Sequence, residues 1–165
     1  MESVWQQVLA TVVAEFSDIP DVRQVTTVIV RLGVAVLLSG WLGWERERHG
    51  ADAGLRTHML VGLGAAMFVL VPQQAGVSSG DLTRVVQGVV SGIGFLGAGA
   101  ILKSDDENRI RGLTTAASIW ATSAIGISAG TGREMTALLS TVFAFGILSA
   151  LHRIERRLEA RRAAR

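Results

Sequence analysis

At 165 residues, with 49% apolar and only 18% charged residues and 19 glycines, the chain is too apolar for an ordinary soluble domain, and so short a chain lacks the outer layer to cover several wholly apolar helices. Lipid is the expected solvent. A formal charge of +2 spread over loops and tail, with no basic face, excludes nucleic acid as a partner, and the absence of cysteine excludes disulfides, thiolate metal sites and cysteine nucleophiles.

Residues 1–20 read as an amphipathic interfacial helix, because Trp5, Val8, Leu9, Val12, Val13 and Phe16 recur at helical spacing. Glu2 stands where a signal peptide would be basic and no small-residue cleavage site follows, so the mature chain is expected to begin here. Asp18, Pro20 and Asp21 break the helix. A transmembrane domain over 24–151 follows, with five apolar stretches at 25–44, 55–71, 84–102, 112–129 and 134–151. Each approaches the length that crosses a bilayer core, and no period-2 alternation suggests a barrel. The fold class is therefore all-α, a polytopic membrane helical bundle of about five transmembrane helices. Twelve lysines and arginines fall in the loops after the first and third stretches and in the tail, against three (Arg23, Arg84, Arg133) on the other side. That asymmetry predicts an external amino terminus and a cytosolic carboxyl terminus, with residues 152–165 a basic cytosolic tail and anionic lipid its neighbour.

Gly92, Gly94 and Gly97 have dinucleotide-motif spacing, but apolar membrane sequence on both sides excludes the strand and soluble unit such a motif requires. Gly88, Gly92, Gly94, Gly97 and Gly99 are assigned to close helix packing, with an unwound helix lining a cavity as the alternative. In the fourth stretch Thr114, Ser118, Thr122, Gly126 and Gly130 recur every four residues, a small, weakly polar stripe expected to pack against the third stretch, or its hydroxyls to bond back to their own helix.

Arg31 lies inside the first stretch, where a charge must face protein or water. Residues expected at or near its depth are Asp81, Arg84, Gln87, Ser91, Thr122, Ser123, Ser140, Thr141 and Glu134, so a polar ligand or ion cavity around Arg31 competes with a structural pair to Asp81 or Glu134. On the expected cytosolic side the candidate motif residues are Glu45, Arg46, Glu47, Arg56, Thr57, His58, Thr114 and Thr115. Glu45 and Glu47 are candidate metal ligands, and salt bridges locking helix ends are the alternative. Asp105, Asp106 and Glu107 form a further acidic turn. No nucleophile with a base and orienting acid, phosphate loop or zinc-spaced histidine pair appears, so no enzyme is expected.

The long strings RLGVAVLLSGWLGWERERHGADAGLRTHMLVGLGAAMF, DLTRVVQGVVSGIGFLGAGAIL and RGLTTAASIWATSAIGISAGTG together resemble the MgtC/SapB family of bacterial membrane proteins, over residues 31–156. The ERE element matches Glu45, Arg46 and Glu47; AGLRTH matches Ala53 to His58; the third-stretch signature matches Asp81, Arg84, Gln87, Ser91 and Gly92 to Gly99; GLTTAA matches Gly112 to Ala117. The resemblance implies a bacterial inner-membrane protein tied to magnesium homeostasis and, in pathogens, survival within phagocytes. It implies either transport or regulation of another membrane protein such as the proton-translocating ATP synthase, magnesium as ligand or signal, and no other cofactor. Longer members carry a soluble ACT-like domain where this chain stops, so the short form is the expected comparison. The glycines at 88 and 92 predict a homodimer.

Overall fold

The computed structural model of the protein describes residues 3–17, 19, 21–103 and 110–163, with 102, 103, 110 and 151–163 described by backbone only. The expected break at Asp18 and Pro20, and the acids Asp105, Asp106 and Glu107, lie outside the described residues. Residues 1–30 and 31–165 form two compact units. In the first, Ser3 and Gln6 close a reciprocal capping box that starts α1 (Val4–Glu15). None of its residues is buried, and the whole stripe from Trp5 to Phe16 is exposed.

Helix α2 (Val22–Arg48) starts earlier than the apolar pattern, because the Asp21 carboxylate accepts from the Gln24 amide at 2.7 Å. It ends on Arg46 and Arg48, whose charges favour the carbonyl end of a helix. Helix α3 (Leu55–Gln74) opens on the Glu47 carboxylate, which accepts from the Leu55 amide at 2.7 Å. Pro72 is carried within its last turn. Helix α4 (Ser79–Gly99) is capped by Ser78, whose hydroxyl accepts from the Asp81 amide, and it is helical throughout, so Gly92 to Gly99 is not unwound. Where helices alone were expected, Leu102–Lys103 (β1) pairs antiparallel with Ile110–Arg111 (β2), clamping the ends of the polar turn. Gly112 follows at φ +88°, and a side chain there would strike the Ala100 carbonyl, so this corner needs glycine twice over. Helix α5 (Leu113–Gly130) and helix α6 (Glu134–Ala163) complete the second unit.

Of the five expected spans, α2, α3 and α4 are long and apolar enough to cross a membrane. The described apolar part of α6, Glu134–Ala150, is shorter than 18 residues, and α5 is not apolar enough to qualify. The reason for α5 is position: nine of its eighteen residues are buried, so one face is covered by protein and hydroxyls are tolerated there.

In lipid, apolar burial does not drive helices together and close backbone approach must. α5 achieves this against α3. A side chain on Gly126 would strike the Gly62 carbonyl, and one on Gly130 the Ala66 carbonyl. The stripe of α5 thus packs on α3, not on the glycine-rich α4 as its spacing suggested. The physical reason lies in α3, whose Gly62, Ala65 and Ala66 offer a matching smooth face. Helix α2 joins the same core through Ala35 and Leu42, and α6 through Ala137, with Trp41 and Phe145 rings 5.1 Å apart. α4 meets α5 through Gly97, 3.6 Å from Ala116 when given a Cβ, and through Ile93 beside Ile119. A Cβ on Gly88, Gly92, Gly94 or Gly99 would meet nothing within 4 Å, and Gly88 and Gly92 line an open apolar groove of about 580 Å³ shared with Leu60, Gly64 and Phe68 of α3.

Candidate functional site

Two polar sites emerge from this packing, at opposite ends of the second unit. Arg31 defines the first. Its Nη1 donates to Gln73 Oε1 at 2.9 Å and to the Gly130 carbonyl at 3.2 Å, so it binds the carbonyl ends of α3 and α5. A cation there is favoured by both helix dipoles. Gly132 makes room, since a Cβ on it would lie 2.5 Å from Arg31 Nη2. Neither expected partner holds this guanidinium in its hydrogen bonds. Asp81 instead accepts from Ser78 Oγ at 2.7 Å and faces Arg84 at 3.5 Å on an exposed turn. Gln87 and Ser91 also occupy exposed positions of α4, whereas Thr122 and Ser123 are buried on α5, with Thr122 bonded back to the Ser118 carbonyl. The expected cavity residues are therefore distributed over separate surfaces. Depth along a helix was legible, but the direction each side chain takes around it depends on which helix packs where. Gln73 lies past Pro72, where the apolar pattern ends, so that pattern does not single it out.

The second site gathers most of the expected cytosolic motif. Gly43 brings α2 against the start of α3, where its Cβ would lie 2.7 Å from His58 Cβ and 2.9 Å from Leu55 Cα. That approach buries His58 completely, at 0% exposure. Its Nδ1 lies 2.8 Å from the Gly54 carbonyl and its Nε2 3.1 Å from Ser118 Oγ. Ser118 donates to the Thr115 carbonyl at 2.8 Å, and Arg46 Nη2 donates to Thr115 Oγ1 at 3.2 Å. Arg46, His58, Thr115 and Ser118 thus form one connected polar cluster between α2, α3 and α5. Ser118 and Thr115 were legible as polar positions of α5, while their contact with His58 was not.

Among the described residues, three buried polar atoms around the same core, Ser39 Oγ, Arg46 Nε and Ser123 Oγ, have no hydrogen-bond partner. Beside the cluster, Thr115, Thr57, Asp52 and Ala53 line a cleft of about 240 Å³ that reaches Leu96 and Ala100 of the α4 end. Arg56 and Thr114 are exposed at this end. Glu45 and Glu47 do not converge. Two residues apart on a helix, they point to different faces: Glu45 is buried with His49 at 3.5 Å, while Glu47 caps α3. Among the described residues no group of three histidine, cysteine or carboxylate side chains is arranged to hold a metal. Of the expected alternative, salt bridges locking helix ends, Glu47 does the locking through a backbone amide rather than a charge.

The comparisons with known proteins point the same way as the motifs. SrpB of Synechococcus elongatus is 45% identical over 137 residues, covering 76% of this chain and 75% of that protein. YhiD of Escherichia coli K12, whose name proposes a magnesium transporter, is 41% identical over 79% of this chain and 63% of its own length. MgtC of Brucella abortus is 43% identical over 78% of this chain, which spans only 52% of that longer protein. No solved structure matches the chain. The MgtC family pattern covers residues 32–157, a stretch that takes in the buried cluster and the helices α3 to α5 that build it. With the family pattern running through most of its length and three apolar helices able to span a bilayer, this chain belongs to the MgtC family of membrane proteins.

Proposed function

We propose that this protein serves ion homeostasis in the bacterial inner membrane, magnesium homeostasis in particular, and that the polar cluster between α2, α3 and α5 handles the ion. The observation carrying this reading is Arg46, His58, Thr115 and Ser118 joined by hydrogen bonds between α2, α3 and α5, with His58 fully buried. Ionisable groups within membrane helices are costly and mark ion pathways and relays. YhiD's name supports magnesium as the ion. Reconstituted in proteoliposomes, the protein should give magnesium-dependent flux, and Arg46→Ala should lower it about tenfold, the loss of one charge-assisted bond worth about 1.4 kcal/mol or more. No flux in the parent protein would overturn the transport reading.

The same reading has five spanning helices, α5 and α6 included, with the amino terminus outside and the carboxyl terminus in the cytosol. Its basis is the distribution of lysine and arginine. The natural chain has no cysteine, so single cysteines introduced at Ser78 and Arg156 can be probed without background. An impermeant maleimide added to intact cells should label Ser78→Cys and leave Arg156→Cys unlabelled; the reverse pattern would refute the orientation.

A second reading, regulation through contact with another membrane protein such as the ATP synthase membrane sector or a second copy of this chain, is favoured by one feature. Gln87 and Ser91 lie exposed beside open glycines on α4, a spanning helix on which polar groups would otherwise meet lipid. The homodimer is the version that can be measured on the purified protein. Mass in detergent should be twice that of one chain and fall to one chain in Gly92→Leu, whereas a monomeric parent would remove the dimer.

A further inference from the structure

The hydrogen bonds of His58 can be completed in either of two protonation states. Its Nδ1 faces the Gly54 carbonyl, which only accepts, so Nδ1 carries a proton. Its Nε2 faces Ser118 Oγ, and that hydroxyl also lies 2.8 Å from the Thr115 carbonyl, again an acceptor only. The one Ser118 proton therefore has two destinations. Turned to Nε2, it satisfies a neutral imidazole. Turned to the Thr115 carbonyl, it leaves lone pairs to accept from a protonated Nε2. Both states complete the bonds of a fully buried ring by rotating one hydroxyl, with no heavy atom moved.

The surroundings couple that proton to Arg46. From α2, Arg46 is near enough for its charge to act on the ring, Glu47 is held by the Leu55 amide, and Glu45 faces His49. The loop between α2 and α3 contributes Asp52, and α5 contributes only the hydroxyls of Thr115 and Ser118. On its own helix, Arg56 is exposed. A cationic His58 thus adds a second positive charge beside a guanidinium whose described side-chain bond is to the neutral Thr115 hydroxyl, while the carboxylates of Glu45 and Asp52 attract that guanidinium from elsewhere. Thr115 is also a wall of the cleft lined by Asp52, Ala53 and Thr57.

We propose that His58, with Ser118 as its two-way partner, is a proton-binding site whose occupancy releases Arg46 from Thr115 and opens the adjoining cleft. The inference deepens the ion-handling reading by naming the proton as the ligand that controls the cluster. Its test does not depend on flux. The full chain in lipid nanodiscs, labelled with 15N-histidine and assigned by His58→Gln, is titrated from pH 5 to 9. In parallel, Ala53→Cys, buried at 6% exposure on the cleft wall, is reacted with a water-soluble maleimide over the same range. The expected result is passage of the His58 ring between the Nδ1-protonated neutral form and imidazolium. Maleimide reaction should rise severalfold on the protonated side, with the same midpoint. Ser118→Ala removes the acceptor of the protonated ring and should move both midpoints together by about one pH unit towards acid. A ring fixed in one form throughout, an unmoved midpoint in Ser118→Ala, or a maleimide rate indifferent to pH would each overturn the proposal. Titration and labelling that behave as expected in a protein without magnesium flux would leave the proton site standing and remove the transport reading alone.

Discussion

Gly126→Leu is expected to destabilise the folded protein by about 3 kcal/mol, the upper end of the usual penalty for forcing a large side chain into a filled contact. A side chain at position 126 would meet the Gly62 carbonyl and lie 3.0 Å from Ala65 Cβ. Backbone has no rotamer by which to yield, so α3 and α5 must separate. In a bundle held by close backbone approach, that separation removes dispersion contacts along the whole interface. Thermal unfolding in detergent, followed by the four tryptophans, is the measurement. Gly92→Leu is the matched control, placing the same side chain on α4 where nothing lies within 4 Å. It should leave monomer unfolding unchanged, even where it abolishes self-association. Equal destabilisation by both variants would mean that the α3–α5 contact is not the tight one.

The contrast between these glycines also marks what the amino-acid order alone could reveal. Spacing identified both sets as small-residue faces, and the helices that carry them appear within a few residues of the apolar stretches. It could not say which face meets which, because glycine at every fourth position is compatible with any smooth partner. The match of Gly126 and Gly130 to α3 depends on where Gly62, Ala65 and Ala66 fall around that helix. The cluster between α2, α3 and α5 was legible in its members Arg46, His58 and Thr115, since charge and hydroxyls at helix ends stand out from apolar sequence. The His58–Ser118 bond was not, because it joins residues 60 positions apart through a helix crossing. Helix starts also shifted where a side chain capped the backbone, as Asp21 and Ser78 do, since apolar periodicity does not register a cap.

Arg31→Met should cost about 2 kcal/mol, within the range for losing hydrogen bonds to a charged group. Methionine retains much of the length and apolar stem, so the variant removes the guanidinium and little else. Without it, Gln73 Oε1 and the Gly130 carbonyl lose a cationic donor, and the carbonyl ends of α3 and α5 lose a favourable charge. The effect is structural and local, so amide exchange should accelerate most at the ends of α3 and α5. Asp81→Asn separates this account from one in which Arg31 depends on an aspartate. Asp81 is exposed and paired only within its own turn to Arg84, and asparagine can still accept from Ser78. Its unfolding should therefore stay within about 0.5 kcal/mol of the parent, as exposed ion pairs contribute little. If Asp81→Asn destabilised as much as Arg31→Met, with no additivity in the double variant, the two would be partners and the helix-end role of Arg31 would fail.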